Sequence, residues 1–207
     1  MSLLILLQSE TIANTIVRCC DQLCRDPVLQ NRLRAEIRSH LPSPAKRTVS
    51  AAQLESLPLL NSVCEEVLRL YPAIPMTMRI TLRDTTIQGE RIPKGTHIFV
   101  DFHALNRSRD IWGTNGDDFV PERWLDDTLH HRFVNNQGRP HLAFSSGHRS
   151  CIGREVARAE LRCTIAGLVG RFAMELVHPD RDFYEAGSIS MRSVQKIDMR
   201  LRPIEGW

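Results

Sequence analysis

Between Phe144 and Gly153 the chain reads FSSGHRSCIG, which sets one cysteine, Cys151, two residues after Arg149 and between Gly147 and Gly153. Gly147 permits a turn, and the residues from Arg154 to Phe172 carry apolar side chains at helical spacing, so the window reads as a loop running into a helix. A cysteine at a helix N-terminus has its thiolate stabilised by the helix dipole and by free backbone N–H groups, and the thiolate is the form that binds metal. Gly153 leaves room for a flat macrocycle, Arg149 can pair with a carboxylate on its rim, and Phe144 can wall the sulfur from water. These residue types in this order suit a thiolate ligand to a haem iron, with Cys151 as that ligand.

The string is similar to the haem-binding loop of the cytochrome P450 family, in which Phe, Gly, Arg, Cys and Gly stand at these spacings. Here Phe144, Gly147, Arg149, Cys151 and Gly153 match every fixed position. A motif needs its context. Glu66 and Arg69 lie three apart in NSVCEEVLRLYP and so face one another on a helix. Alone, such a pair reads as an ordinary solvated ion pair. The family, however, carries a Glu and Arg at this spacing upstream of its cysteine loop, joined by an arginine from a later loop reading Pro, Glu, Arg, aromatic. Pro121, Glu122, Arg123 and Trp124 supply that loop here. The resemblance implies a buried charge network of Glu66, Arg69 and Arg123 that fixes the fold around the haem.

Near the N-terminus, QSETIANT resembles the oxygen-binding segment of the family's long central helix, where an acid precedes a threonine. Glu10 and Thr11 match, and the resemblance implies that they deliver protons, work that needs groups within hydrogen-bond reach through one water. Where the family usually has a small residue followed by Gly, this chain has Leu7 and Gln8. Arg79 matches a residue that often binds a haem propionate. Ile74, Met76 and Met78 suit an oily substrate or an ordinary core equally well, and the turn near Gly187 to Ile189 matches one that commonly dips into the substrate pocket. Arg154, Arg158 and Arg162 recur every four residues and form one stripe. That stripe is either the docking face for an acidic electron donor or an ion-paired surface with Glu155 and Glu160 nearby.

The elements that must position these residues are mostly helical. Apolar spacing predicts a helix from Leu3 to Cys24, a second ending at Leu41, and a short one over Ala51 to Leu57. The helix bearing Glu66 and Arg69 must end before Pro72. TLRDTTI, a turn at Gln88 to Glu90, and GTHIFVDF read as one β-hairpin. Short helices are expected in FHALNR and RDIWG, and short strands in FAMELVH, SISMRSV and KIDMRLRP. The fold class expected is mainly α with small antiparallel β-sheets (α+β), a single partial domain over residues 1–207. It matches the C-terminal half of the cytochrome P450 fold, from the central helix onward.

Composition excludes little but is informative. With 27 basic against 24 acidic residues, the net charge of +3 gives no basic surface for nucleic acid. Six cysteines without framework spacing read as reduced thiols of a cytosolic or cytosol-facing protein. Cys20 and Cys24 share a helix face, and a zinc site there would need two more ligands from His130, His131 and His141. The opening MSLLILL holds an apolar run of about six residues, far short of the roughly 20 that span a bilayer. It reads as buried helix, with no membrane anchor in this chain; an anchor upstream would place the protein on the endoplasmic reticulum. By resemblance the chain is a haem-thiolate monooxygenase with haem b as cofactor, O2 and a small apolar organic molecule as substrates, and a reductase as electron donor. Its FSSGHRSCIGREVARAEL string suggests specialised metabolism. The alternative is a truncated remnant that binds haem or protein without turnover.

Overall fold

A computed structural model describes residues 3–42, 48–125, 141–181, 185–186, 190–193 and 196–206. Helix α1 spans Leu3–Arg25. The expected burial of its opening apolar run, and the nature of the Leu7 and Gln8 contacts, lie outside the described side chains. Helix α2 (Pro27–His40) starts where Asp26 caps it by accepting from the Leu29 N–H at 2.9 Å, with Pro27 at its first position. Leu29, Leu33 and Ile37 repeat every four residues on α2 and are all buried. A capping box between Ser50 and Gln53 opens the short α3 (Ala51–Glu55).

Helix α4 (Pro58–Leu70) has no side-chain cap of its own. Glu36 of α2 supplies one from outside, its two carboxylate oxygens accepting the Leu59 and Leu60 N–H groups at 2.8 and 2.9 Å. Two backbone donors at a positive helix end are thereby satisfied by one negative charge. The C-terminal end of α7 (Arg154–Arg171) is held the same way with the signs reversed. Arg34 of α2 donates to the carbonyls of Val169 and Phe172, and Arg38 donates to that of Gly170. Arg34, Glu36 and Arg38 of α2, spaced two residues apart, thus clamp both α4 and α7, and Leu33, Leu60, Val63, Leu161 and Ile165 fill the core between these helices without solvent contact.

The described strands form four two-stranded antiparallel ladders. Strand β1 (Met76–Ile80) pairs with β4 (His97–Asp101), Met76 opposite Asp101 and Ile80 opposite His97. Strand β2 (Thr85–Ile87) pairs with β3 (Glu90–Ile92), β5 (Phe172–Leu176) with β8 (Met199–Pro203), and β6 (Glu185–Ala186) with β7 (Arg192–Ser193). The single hairpin expected from TLRDTTI to GTHIFVDF is thus corrected to two ladders. The cause is the turn: Gln88 and Gly89 have φ of 51° and 91°, the two-residue turn that reverses the chain at once. The partner of β2 must therefore begin at Glu90, which frees His97–Asp101 to return to β1. Short helices α5 (Phe102–Leu105) and α6 (Arg109–Trp112) follow, then 3-10 turns at Pro121–Trp124 and Gly147–Arg149. The chain is mainly helical with small antiparallel sheets, as the apolar spacing predicts.

Candidate functional site

The loop carrying Cys151 leaves the core at His141 and rejoins it at α7. Three backbone hydrogen bonds close it: Ser145 N–H to Leu142 O at 2.9 Å, Ser150 N–H to Gly147 O at 3.1 Å, and Cys151 N–H to Phe144 O at 2.9 Å. Its path passes through two residues with positive φ, Ser145 at 59° and Gly147 at 74°. Glycine takes that conformation without steric cost, while Ser145 is held in it. Cys151 is an exposed free thiol three residues before Arg154 opens α7. Phe144 is half-buried against the core beside it, and Ile152 is 96% exposed.

These residues fit a haem. A Cβ at Gly147 would meet nothing within 4 Å, and one at Gly153 would meet only the Cys151 Sγ at 4.0 Å, so the loop offers a bare surface around the sulfur. Arg149 lies exposed on the same loop. Arg79 is exposed on β1, its guanidinium folded back onto the Thr77 hydroxyl and the Met78 carbonyl at 2.7 and 2.9 Å. Ile74, Met76 and Met78, for which core and substrate readings were both open, are all 41–48% exposed. They are not core in this chain.

Behind the loop, the structure brings Glu66, Arg69 and Arg123 into direct contact. Both Glu66 and Arg69 are fully buried, joined by two hydrogen bonds of 2.8 and 2.9 Å, and Arg123 donates to Glu66 at 2.8 Å. The Glu66 carboxylate also accepts the Trp124 indole N–H and the Val120 N–H, each at 2.9 Å. Arg69 spends its remaining donors on the carbonyls of Asn106, Gly116 and Asp118. Its guanidinium sits 4.8 Å from the Trp112 ring centroid. Every charge here has partners, which is the condition for burying it. The roles of Trp112, Asn106 and Gly116 had no signal in the sequence, because the contacts are backbone carbonyls and a ring face.

A second cluster was also missed. Glu65, beside Glu66 on α4, accepts from His141 Nε2 at 3.1 Å and from Arg158 at 2.8 Å. Burial alone would raise its pKa, but the His141 hydrogen bond and the Arg158 and Arg162 charges outweigh that and hold the carboxyl below its usual range. Nothing in the sequence joins residues so far apart.

Of the two readings open for the stripe of Arg154, Arg158 and Arg162, the structure shows the ion-paired one, with Glu55 and Glu65 as partners besides the expected Glu155. Arg158 turns to Glu65, Arg162 to Glu55 at 3.5 Å, and Arg154 to Glu155 at 2.7 Å. The two inner arginines lie under α3 and α4, where acids meet them; Glu65 is 14% exposed, whereas Glu55 and Glu155 stand out in solvent at 59% and 69%. The expected turn at Gly187 to Ile189 lies outside the described residues, as do His130 and His131. His141 is committed to Glu65. On α1, Glu10 is exposed and Thr11 half-buried, and the Thr11 carbonyl takes the Thr15 hydroxyl at 3.0 Å. One turn on, the Asn14 amide donates to Met191 O at 2.9 Å, and Met191 N–H donates to Ala73 O at 2.7 Å. Three distant segments that carry expected proton-delivery and substrate contacts thus meet at one point.

The thiols divide sharply. Burial pushes Cys19 and Cys64 well up, Cys20 to about 12 and Cys24 to about 11, whereas Cys151 and Cys163 are exposed. Brief alkylation at neutral pH is expected to label Cys151 and Cys163 first and to reach Cys19, Cys20 and Cys64 only after unfolding. Mass spectrometry of peptides reads this directly, and early labelling of Cys64 would contradict the packing of α4.

Comparison with known proteins agrees with this geometry. The profile of the cytochrome P450 family matches residues 8–196. The chain is 36% identical over 201 residues to the cytochrome P450 monooxygenase sphH of Aspergillus fumigatus, covering 96% of this chain and 37% of that protein. It is 39% identical over 212 residues to the cytochrome P450 monooxygenase buaD of Petromyces alliaceus, covering 96% and 38%. A crystal structure of a cytochrome P450 (CYP102L1) superposes with a TM-score of 0.81 at 29% identity, over 95% of this chain and 43% of that one. The cytochrome P450DA haem domain superposes at 0.83 with 24% identity, a likeness of fold, over 95% and 42%. The chain thus spans well under half the length of the relatives it matches. Among the described residues no helix is long and apolar enough to cross a membrane. The family implies haem b as the cofactor, and with its profile matched across nearly the whole sequence, this chain belongs to the cytochrome P450 family.

Proposed function

We propose that the chain carries the haem-thiolate centre of a monooxygenase that inserts one oxygen atom of O2 into a small apolar organic molecule. The supporting observation is the closed loop that presents the exposed Cys151 sulfur between two open glycines at the start of α7. When bound, haem supplies the oxygen-activating redox chemistry. Cys151 would ligate the iron through its exposed sulfur, the thiolate being the form of a cysteine that binds metal. Phe144 excludes water from the sulfur, and Gly147 and Gly153 let the flat ring approach. Arg149 and Arg79 pair with its carboxylates. Ile74, Met76 and Met78 offer apolar contact to substrate. Glu10 and Thr11 hold and pass protons through a water beside the Asn14 to Met191 junction. An electron-donating reductase completes the reaction, with Arg154 the arginine of the three best placed to meet it. The relatives from Aspergillus and Petromyces, named as cytochrome P450 monooxygenases, support the reaction class, and the FSSGHRSCIGREVARAEL string suggests specialised metabolism as its setting.

The test is the optical spectrum of the chain supplied with haem, reduced and exposed to carbon monoxide, beside Cys151→Ser. A strongly red-shifted Soret band that vanishes in the mutant is the expected result. Failure to take up haem, or a band indifferent to the mutation, would refute the reading and favour the inactive remnant.

A further inference from the structure

We propose that Glu65 is the positioning residue of the cysteine loop, its single carboxylate holding the segment that enters the loop through His141 and the helix that leaves it through Arg158. One oxygen, Oε2, accepts from both partners, at 3.1 and 2.8 Å. The three side chains are 14%, 1% and 20% exposed, so water competes little for these bonds. His141 Nδ1 in turn accepts the Ala143 N–H at 3.2 Å, which leaves Nε2 as the donor to Glu65 and turns the ring into a fixed strut.

The other arm reaches the ligand itself. The Arg158 guanidinium lies 5.8 Å from the Phe144 ring centroid, and the Phe144 carbonyl accepts the Cys151 N–H at 2.9 Å. Glu65 is thus three contacts from the backbone of Cys151, through Arg158 and Phe144, on a route that does not touch the sulfur. The loop needs such an anchor. It holds a serine at positive φ in a path without α-helix or strand, and segments of that kind open locally well before the whole protein unfolds. Helix α4 therefore serves the loop twice. Glu66 and Arg69 reach it through intermediaries: Arg69 through Asn106, whose carbonyl it meets and whose side-chain oxygen takes the Leu142 N–H at 3.2 Å, and Glu66 through Trp124, whose ring centroid lies 6.1 Å from that of His141. Glu65 grips both ends directly.

The experiment compares Glu65→Gln with Glu55→Gln, which removes the more exposed partner of Arg162 on the same α7. In the haem-free chain, amide hydrogen exchange at Cys151 is measured against Val169, a core amide of α7. Glu65→Gln is expected to speed exchange at Cys151 about tenfold, or ~1.4 kcal/mol of local stability, with Val169 unchanged. Glu55→Gln should alter neither. An unchanged Cys151, a Val169 that accelerates in step with it, or an equal effect from Glu55→Gln would overturn the inference. With haem and carbon monoxide, which rests on the proposed function, Glu65→Gln should shift absorbance from the red-shifted band to an ordinary one at unchanged haem content. Failure of wild type to bind haem would sink that reading and leave the exchange result standing.

Discussion

Glu66→Ala is expected to remove about 3 to 5 kcal/mol of stability, the cost of stranding buried charge. Two guanidinium groups, those of Arg69 and Arg123, would lose the carboxylate that neutralises them, and neither can reach water. The Trp124 and Val120 N–H groups would lose their acceptor at the same stroke. Whole domains are stable by only about 5 to 15 kcal/mol, so the variant should sit at or below the threshold for folding. Glu66→Gln, which keeps the shape and one acceptor, should lie between it and wild type. Urea unfolding followed by circular dichroism ranks the three. A loss below about 1 kcal/mol for Glu66→Ala would put the pair in the class of surface salt bridges and refute the buried network.

Gly116→Ala should come close to that effect although it deletes nothing. A Cβ at Gly116 would stand 2.6 Å from the Arg107 carbonyl oxygen and 3.3 Å from its carbon. Both are backbone atoms, which no rotamer change can move aside. The chain must shift, and the Gly116 carbonyl is an acceptor for Arg69. Overpacking of this sort costs about 1 to 3 kcal/mol, occasionally more, and here it also displaces a ligand of a buried charge. The distinguishing result is a double variant: because the two lesions share Arg69, Gly116→Ala with Glu66→Gln should cost less than the sum of its parts. Additive costs would show that Gly116 acts through its own turn alone.

Both variants touch a network of which the sequence showed only the side-chain half. Glu66 and Arg69 were legible because three residues on a helix bring two side chains together whatever the rest of the chain does. Arg123 became legible only beside them, through the resemblance of PERW to a family motif. The carbonyls of Asn106, Gly116 and Asp118 were not legible at all, since every residue has one and their aim depends on the path between α5 and the Pro121–Trp124 turn. The arginine stripe shows the opposite case. Spacing rightly placed Arg154, Arg158 and Arg162 along one side of a helix, but the packing of α3 and α4 turned that side into ion pairs with Glu55 and Glu65.

What the sequence determined by itself is local: the helices and their approximate ends, such as the stop of α4 before Pro72, and the order of residues around Cys151 in a loop before a helix. These follow from backbone conformation and from spacings of three and four residues, which act within a turn or two of chain. Tertiary structure decided which strand pairs with β1, which charges face one another across tens of residues, and what holds the cysteine loop. Those outcomes depend on buried acids finding partners on other elements, and burial is a property of the packed whole, where one unpaired charge costs more than most single contacts return.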